Sequence, residues 1–375
     1  MKRKILETYK FIFCALIITG CKQSYNPPDL NANKNYLVVD GFINTGSDST
    51  IITLTRTRNL TTSSAPAFEN DAHLTIENDG GTIFQLTELG NGKYGAGNLN
   101  LDETKNYRLR ITTSNGSNYL SDFTPAKVSP PIDSISWQRS DNGVSIYLNT
   151  HDPLKNTLYY RWEFAETWEY HSMFESFMHY DPVAQVINID TIPVPHICWT
   201  TDSSTNIYIS SSARLSADVI DQFPVIFIPV NSERISIRYS VWVKQYALTK
   251  DAFNYWSSLQ KSTEQTGTIY DQQPTQITGN VHCTTNPDEP VIGYVSAGAV
   301  TEKRVFINNS EVLPWKIDET CDLTWEPFYR NVDYISGLLP AYSQRHGDTL
   351  GIVVSQNYCV DCTARGGSGV KPYYW

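Results

Sequence analysis

Residues 72–86, AHLTIENDGGTIFQL, decide the fold class because they have the pattern of two β-strands joined by a tight turn. Ala72 to Glu77 and Thr82 to Leu86 are short runs with the branched and aromatic side chains that favour strands. Between them, Asn78-Asp79-Gly80-Gly81 contains Asp-Gly and Gly-Gly pairs, which readily adopt the positive φ angles of hairpin turns. The sequence therefore predicts an antiparallel hairpin.

Similar strand-forming runs recur on both sides of this hairpin. They are Tyr36 to Ile43, Thr50 to Thr57 and Tyr107 to Thr112. Tyr107 opens its strand at the place where immunoglobulin-like sandwiches keep a corner tyrosine whose hydroxyl bonds nearby backbone, although an ordinary core tyrosine is the alternative. Ser129-Pro130-Pro131 then ends the unit, since proline cannot donate to a strand ladder. Residues 36–128 are predicted to form an immunoglobulin-like β-sandwich.

Residues 129–375 predict a larger β-rich domain with one amphipathic helix and a C-terminal Cys-x-x-Cys tail. Thr249 can cap that helix, and Ala252, Tyr255, Trp256 and Leu259 form its apolar stripe. Residues 218–220 predict a second, shorter helical turn. The predicted strands are Val144 to Thr150, Leu158 to Phe164, Ile207 to Ser211, Val225 to Ile228, Ile235 to Tyr246, Val291 to Ser296, Arg304 to Asn308 and Thr349 to Ser355. The fold class is therefore mainly β.

The first 35 residues predict export and a lipid anchor. Residues 1–20 combine a cationic start with an apolar run too short to span a bilayer, which is typical of a signal peptide. The run ends in Ile18-Thr19-Gly20-Cys21, the pattern of a bacterial lipoprotein, so Cys21 is the expected lipidation site. A simple cleaved signal with a chance cysteine is the alternative. Residues 21–35 are polar and contain two prolines, which suits an extended tether.

Composition limits the partners. The formal net charge is −10 for the whole chain, and it becomes about −13 without residues 1–20, which carry four basic side chains and one acidic. Nucleic acid is not an expected partner, because a phosphate-binding surface needs clustered Lys and Arg. A length of 375 residues, with 23 Tyr and 9 Trp, favours two domains with aromatic cores.

Five cysteines besides the expected lipidation site Cys21 remain in the predicted exported chain. They are Cys198, Cys283, Cys321, Cys359 and Cys362. Disulfides persist outside the cytoplasm, and two bridges with one free thiol can be drawn in 15 ways. A bridge from Cys359 or Cys362 to one of the other three would fix the tail to the body. The Cys-x-x-Cys pair could instead be a redox motif, or bind zinc with His196 and Cys198 or with His282 and Cys283. No metal or cofactor is expected.

Signals of catalysis are weak. The sequence contains neither a Gly-x-Ser-x-Gly elbow nor a His-Glu-x-x-His helix. Glu163 and Glu166 flank Trp side chains and could suggest glycoside cleavage, but a spacing of three on a strand sends them to opposite faces. His151 precedes Asp152-Pro153 and is expected at a loop tip. Tyr160, Trp162 and Phe164 alternate on one face and are expected in the core. The chain is not predicted to be an enzyme.

One long irregular segment, residues 171–196, is the strongest candidate for recognition. It carries Met, Phe and Tyr side chains and exceeds ordinary connector lengths. Long loops on a rigid sheet usually carry binding functions. We expect it to contact a transporter or a ligand. The alternative is an inserted hairpin that packs on its own domain.

Short motifs in a fixed order resemble one known family, the domain of unknown function 4249 (DUF4249) family of Bacteroidota envelope lipoproteins. The motifs are Leu37 to Ile43, Tyr159 to Tyr170, Cys198 to Thr200, Arg238 to Ser240, Lys244 to Thr249, Gln273-Pro274, Ile277, Gly279-Asn280, Pro290 to Tyr294, and Cys359 to Trp375. The resemblance implies an outer-membrane lipoprotein, expected on the cell-surface side and often encoded beside a TonB-dependent transporter. It implies no catalytic residue.

The expected function is that of a noncatalytic outer-membrane lipoprotein, an accessory or ligand-capturing partner of a TonB-dependent transporter in nutrient uptake. Lipid attachment would confine it near the channel and raise its effective concentration there. A surface-adhesion or envelope-scaffolding lipoprotein is the alternative, and a hydrolase comes third.

Overall fold

A computed structural model describes residues 35–58, 67–181, 183, 186–264, 277–312, 315, 320–327 and 338–375. The predicted signal peptide, the lipidation site Cys21, the tether up to residue 34 and the Gln273-Pro274 motif lie outside the described residues. Within the described part of the chain, no helix has the length and apolar character needed to cross a membrane.

Strands make up most of the regular structure, and helices are few. In chain order, the strands are β1 Leu37–Asn44, β2 Thr50–Arg56, β3 Ala67–Phe68, β4 His73–Asn78, β5 Ile83–Gly90, β6 Lys93–Ala96, β7 Asn106–Thr112, β8 Asn118–Ser121, β9 Thr124–Val128, β10 Ile132–Ser140, β11 Gly143–His151, β12 Tyr159–His171, β13 Met178–Asp181, β14 Val186–Ile189, β15 Ile197–Ser203, β16 Tyr208–Ser211, β17 Val219–Pro229, β18 Arg238–Ala247, β19 Val281–Cys283, β20 Ser296–Ala299, β21 Thr301–Asn308, β22 Thr324–Pro327, β23 Leu338–His346 and β24 Thr349–Gln356. The helices are α1 Lys250–Glu264 and α2 Asn357–Val360.

The first unit is the predicted β-sandwich, and the mainly β fold class is confirmed. One face consists of β4, β7, β8 and β19, and the other of β1, β2, β6 and β20. β5 pairs first with β4 and then with β6, while β9 pairs first with β7 and then with β20, so both strands pass between the faces. Buried side chains such as Leu37, Ile52, Leu74 and Leu109 fill the space between the faces.

Two local predictions are confirmed inside this sandwich. β4 and β5 form the predicted hairpin, with Leu74 opposite Leu86 and Gly81 at a φ of +85° in the turn. The buried Tyr107 donates its hydroxyl to the backbone carbonyl of Asp102 at 2.8 Å, as expected of a corner tyrosine.

The chain returns to the sandwich late in the sequence. Residues 281–283 pair with β8, and residues 296–299 lie parallel between β1 and β9. Val295 and Ala297 are buried in the sandwich core. The division expected at 128/129 therefore does not separate the strand pairing. Short local patterns gave no sign of this return, because parallel pairing between strands far apart in sequence leaves no turn signal between the partners.

The second unit packs a three-stranded sheet, β10-β11-β17, against a larger sheet in the order β15-β12-β18-β21 with β16 beside β12. Tyr160, Trp162 and Phe164 lie in the core between them, as predicted. The predicted helical turn at 218–220 is wrong: Val219 begins β17, and Ile220 is buried opposite Thr150. The strand ladder with β11 overrides the weak local preference.

Helix α1 follows β18 directly, where the sequence predicted it. The Thr249 hydroxyl accepts a hydrogen bond from the backbone N–H of Ala252 at 3.1 Å and so caps the first turn. Ala252 and Tyr255 are buried. Ala252 and Trp256 pack in one cluster with Phe42 and Tyr246, and the ring of Tyr255 contacts that of Tyr294. The helix therefore lies where the outer side of β1 meets the second unit.

Candidate interaction surface

The predicted recognition segment contains a small hairpin. β13 and β14 pair antiparallel as a two-stranded sheet, with Met178 opposite Ile189 and Asp181 opposite Val186. We call residues 178–189 the inserted hairpin, and residues 171–177 with 190–197 its neck. Strand β13 lies against β23, and the neck also contacts the same domain, so the segment has the form that the alternative interpretation expected, an inserted hairpin packed on its own domain.

Apolar side chains of this region are open to solvent. On the inserted hairpin, Val183 is 93% exposed and Ile189 is 78% exposed, and Val186 is also exposed; in the neck, Ile192 is 78% exposed. A single exposed aliphatic side chain is ordinary on a protein surface. Several on one two-stranded ribbon are unusual, because such a ribbon is at best marginally stable alone and gains little by leaving its apolar side chains in water. These side chains are therefore available to a partner.

Hydrogen bonds fix the neck to distant parts of the chain. The hydroxyl of the buried Ser172 donates to the carbonyl of Val360 at 2.9 Å, and the buried Ser176 donates to the carbonyl of Pro340 at 2.6 Å. The N–H of Cys362 donates to the carbonyl of Pro195 at 2.9 Å. The neck is thus held by polar contacts whose partners lie about 160 to 190 residues further along the chain.

Two disulfides join the C-terminal segment to the body beside this neck. Cys198 bonds Cys362, and Cys321 bonds Cys359. The expectation that Cys359 or Cys362 would tie down the tail holds for both. In the chain-entropy model, bridges over 164 and 38 residues stabilise the fold by about 5 and about 4 kcal/mol. The remaining thiol, Cys283, is free and buried in the sandwich.

The bonding leaves the Cys-x-x-Cys pair with two different partners, so these sulfurs do not bond each other as a redox dithiol would. Cys198, a possible zinc ligand, also lies in a disulfide, so its sulfur does not bind zinc as a thiolate. Among the described residues, no three His, Cys, Asp or Glu side chains come together as metal ligands.

Two histidines face each other in the neck. The rings of His171 and His196 lie 5.2 Å apart, and the Ser172 hydroxyl lies 2.9 Å from Nδ1 of His196. Burial, and secondly the nearby His171, lower the pKa of His196, so its imidazole is neutral at neutral pH. The neck therefore buries a polar but uncharged ring.

Glu163 and Glu166 lie on opposite faces of β12, as their spacing predicts. Glu166 is buried and accepts a hydrogen bond from the Tyr239 hydroxyl at 2.6 Å, while Arg234 lies 3.2 Å from its carboxylate. Burial raises the pKa of Glu166 despite these partners. Glu163 faces outward and pairs with Arg161. Two carboxylates separated by a strand cannot act together on one glycosidic bond.

His151 ends β11 instead of occupying a loop tip, and its Nδ1 lies 2.8 Å from a carboxylate oxygen of Asp133. The hydrogen bond to Asp133 raises the pKa of this exposed histidine. The neighbouring Asp152 is buried and accepts backbone hydrogen bonds from Leu154, Asn156 and Thr157. This pair orders the strand end.

Sequence reasoning singled out residues 171–196 by their length but missed Ser172 and Ser176, which anchor this segment. Neither serine belongs to a motif, and their partners are backbone carbonyls of residues 360 and 340. Only the run Val186-Ile-Asn-Ile189 gave a local sign of the second hairpin strand.

Most of this architecture lies in the part of the chain that matches a known family model. A family model described as a domain of unknown function, DUF4249, matches residues 24–304. The chain belongs to the DUF4249 family. Three of the four disulfide cysteines of this DUF4249 chain, Cys321, Cys359 and Cys362, lie beyond the matched residues.

Two further comparisons place the DUF4249 chain beside other proteins. The comparison with curated proteins gave no match. Among solved structures, the chain is similar to a two-domain fibronectin type-III segment from chicken tenascin. The two share 12% identity at a TM-score of 0.16, over 56% of this chain and 90% of that one.

Proposed function

We propose that this DUF4249 protein is a noncatalytic outer-membrane lipoprotein, anchored through Cys21, that serves as an accessory or ligand-capturing partner of a TonB-dependent transporter in nutrient uptake. The observation that carries the proposal is the exposed Ile189 on the inserted hairpin and the exposed Ile192 on its neck, which lies beside two disulfides.

The geometry suits contact with a protein. Because the neck is fixed, docking the hairpin costs little ordering entropy. Fully burying one isoleucine side chain is worth about 1.5–3 kcal/mol. Two such side chains give a weak contact in solution, and attachment of both partners to one membrane raises their effective concentration enough to make it useful.

The test is a pull-down from native membranes in mild detergent. Wild-type protein is expected to bring down a TonB-dependent transporter, and Ile189→Asp/Ile192→Asp is expected to lose it, since a charge at a buried contact is costly. The matched control is Ile83→Asp/Leu89→Asp on the sandwich, where both side chains are 60% exposed and binding should persist.

Recovery of no transporter with wild-type protein, or its retention by the hairpin variant, would overturn the proposal. Recovery of matrix or cell-wall polymer in place of a transporter would favour the adhesion or scaffolding alternative.

A further inference from the structure

A second cluster of polar and aromatic side chains lies where β1 meets β12, β18 and α1. It consists of Asp40 and Phe42 from β1, Arg161 and Glu163 from β12, Tyr246 from β18 and Trp256 from α1. We call it the acid–aromatic site. Neither the inserted hairpin nor the disulfides contribute to it.

Arg161 is held rigidly in this site. Its guanidinium carbon lies 3.8 Å from the ring centroid of Trp256 and 5.4 Å from that of Tyr246. The guanidinium also forms an ion pair with the carboxylate of Glu163. The Tyr246 hydroxyl donates to the other oxygen of Glu163 at 2.7 Å. The guanidinium is therefore oriented before any ligand arrives, and such preorganisation favours binding.

The carboxylate of Asp40 is the solvent-exposed charged group of the site. Strand alternation buries Val39 in the sandwich and turns Asp40 outward, where its side chain is exposed to solvent. Among the described residues, no hydrogen bond or ion pair engages its carboxylate. Burial by the surrounding protein nevertheless raises its pKa, with Arg161 opposing the effect and Glu163 adding to it.

Aromatic side chains surround these charged groups. The ring of Phe42, next to Asp40 on the same strand face, lies 5.0 Å from Tyr246. Phe42 and Trp256 are only partly buried. Flat apolar rings beside an unengaged carboxylate and an oriented guanidinium are the elements of a small-molecule site with a few placed polar groups.

We propose that the acid–aromatic site binds a neutral polyhydroxylated ligand of the oligosaccharide class. Ligand hydroxyls can donate to Asp40 and accept from Arg161 at once, and charged partners make such hydrogen bonds strong. The rings pack against the C–H faces of a sugar. A simple anion is repelled by the two carboxylates of the site, Asp40 and Glu163, and the lysine comparison in the test distinguishes a cationic ligand. The inference deepens the capture part of the proposed function, but its test needs no transporter.

The test is calorimetric titration of the full-length lipidated protein in lauryldimethylamine oxide, a detergent without a sugar headgroup. The probes are maltohexaose, cellohexaose and xylohexaose, with lysine as the cationic comparison. At least one oligosaccharide is expected to bind. Asp40→Asn should weaken that binding at least tenfold, and the exposed Asp48→Asn control should leave it unchanged.

Failure of all three oligosaccharides to bind wild-type protein, binding of lysine alone, or unchanged binding by Asp40→Asn would overturn the proposal. The hairpin variant Ile189→Asp/Ile192→Asp should bind sugar normally. A lost transporter with retained sugar binding, or the reverse, therefore separates the two proposals.

Discussion

The sandwich and the neck of the inserted hairpin are stabilised in different ways. In the sandwich, neighbouring strands pair through tight turns around a core of branched side chains and tyrosines, and its one cysteine is free. In the neck, small polar side chains bond carbonyls far along the chain, and two disulfides join the C-terminal segment to the body beside them. Short-range sequence patterns account for most strand pairs of the sandwich. The neck depends instead on cross-links that form only in an oxidising compartment.

Removing the longer disulfide should have the largest effect and should be confined to the neck. Cys198→Ala/Cys362→Ala loses about 5 kcal/mol in the chain-entropy model. Hydrogen exchange at the amides of Ser172 and Phe174, which bond residues 196 and 359, should become fast. Amides of the sandwich core strands should stay protected.

The control for that experiment is Cys283→Ala in the sandwich, which removes a buried thiol but no cross-link. The neck amides of this variant should exchange as in wild type. Slow exchange in the neck of the double variant would show that packing alone maintains it.

The joint between the two units should be the next most sensitive place. The fully buried Gln245 accepts from the Trp162 indole N–H at 2.9 Å and donates to the carbonyl of Pro130 at 2.7 Å. Gln245→Leu leaves the indole N–H of Trp162 buried without a partner, whereas the carbonyl of Pro130 keeps the hydroxyl of Thr301, so we expect a loss of about 2 kcal/mol in urea unfolding. The exposed Gln344→Leu serves as control. Equal stability of the two variants would contradict the role of this network.

Within the sandwich, the corner tyrosine Tyr107 should contribute less to the free energy of unfolding than Gln245 does. Tyr107→Phe removes one hydrogen bond to the carbonyl of Asp102 and should cost about 1 kcal/mol in urea unfolding. Tyr373→Phe, at a side chain that is 99% exposed, should cost nothing measurable. A neutral Tyr107→Phe would show that the tyrosine acts through its ring alone.

Two glutamates should give opposite and small pH effects. In the sandwich, hydrogen bonding to Arg110 lowers the pKa of Glu77. The stabilisation of the fold by Glu77 is therefore present above its ordinary pKa of 4.5 and is lost as pH falls through the lowered value. In the second unit, burial raises the pKa of Glu166, so its contribution decreases as pH rises from 4.5 through the raised value. Carboxyl NMR titration should place the two midpoints on opposite sides of 4.5. Midpoints in the reverse order would contradict the account.

The parts of the fold that the sequence predicted are the local ones. The turn at residues 78–81, the corner Tyr107 and the helix capped by Thr249 each depend on residues within a few positions of one another. The return of residues 281–299 to the sandwich was missed because its partners lie far away in sequence.

The candidate surface also has features that the sequence predicted and features that it did not. The length of residues 171–196 identified it, and the exposure of Ile189 follows from a two-stranded ribbon with few covering elements. The disulfide pairing could not be chosen among 15 possibilities, because spacing carries no information on which sulfurs meet in space. The contact of Phe42 with Tyr246 joins two units and has no local pattern.

Photo-crosslinking in living cells tests the central claim, that the inserted hairpin meets a transporter, most directly. A benzophenone amino acid replaces Ile189 on the hairpin or Ile83 on the sandwich, both of them exposed. We predict a crosslink to a TonB-dependent transporter from position 189 and none from position 83. Crosslinks from position 83 alone, or from position 189 only to lipid, would contradict the account.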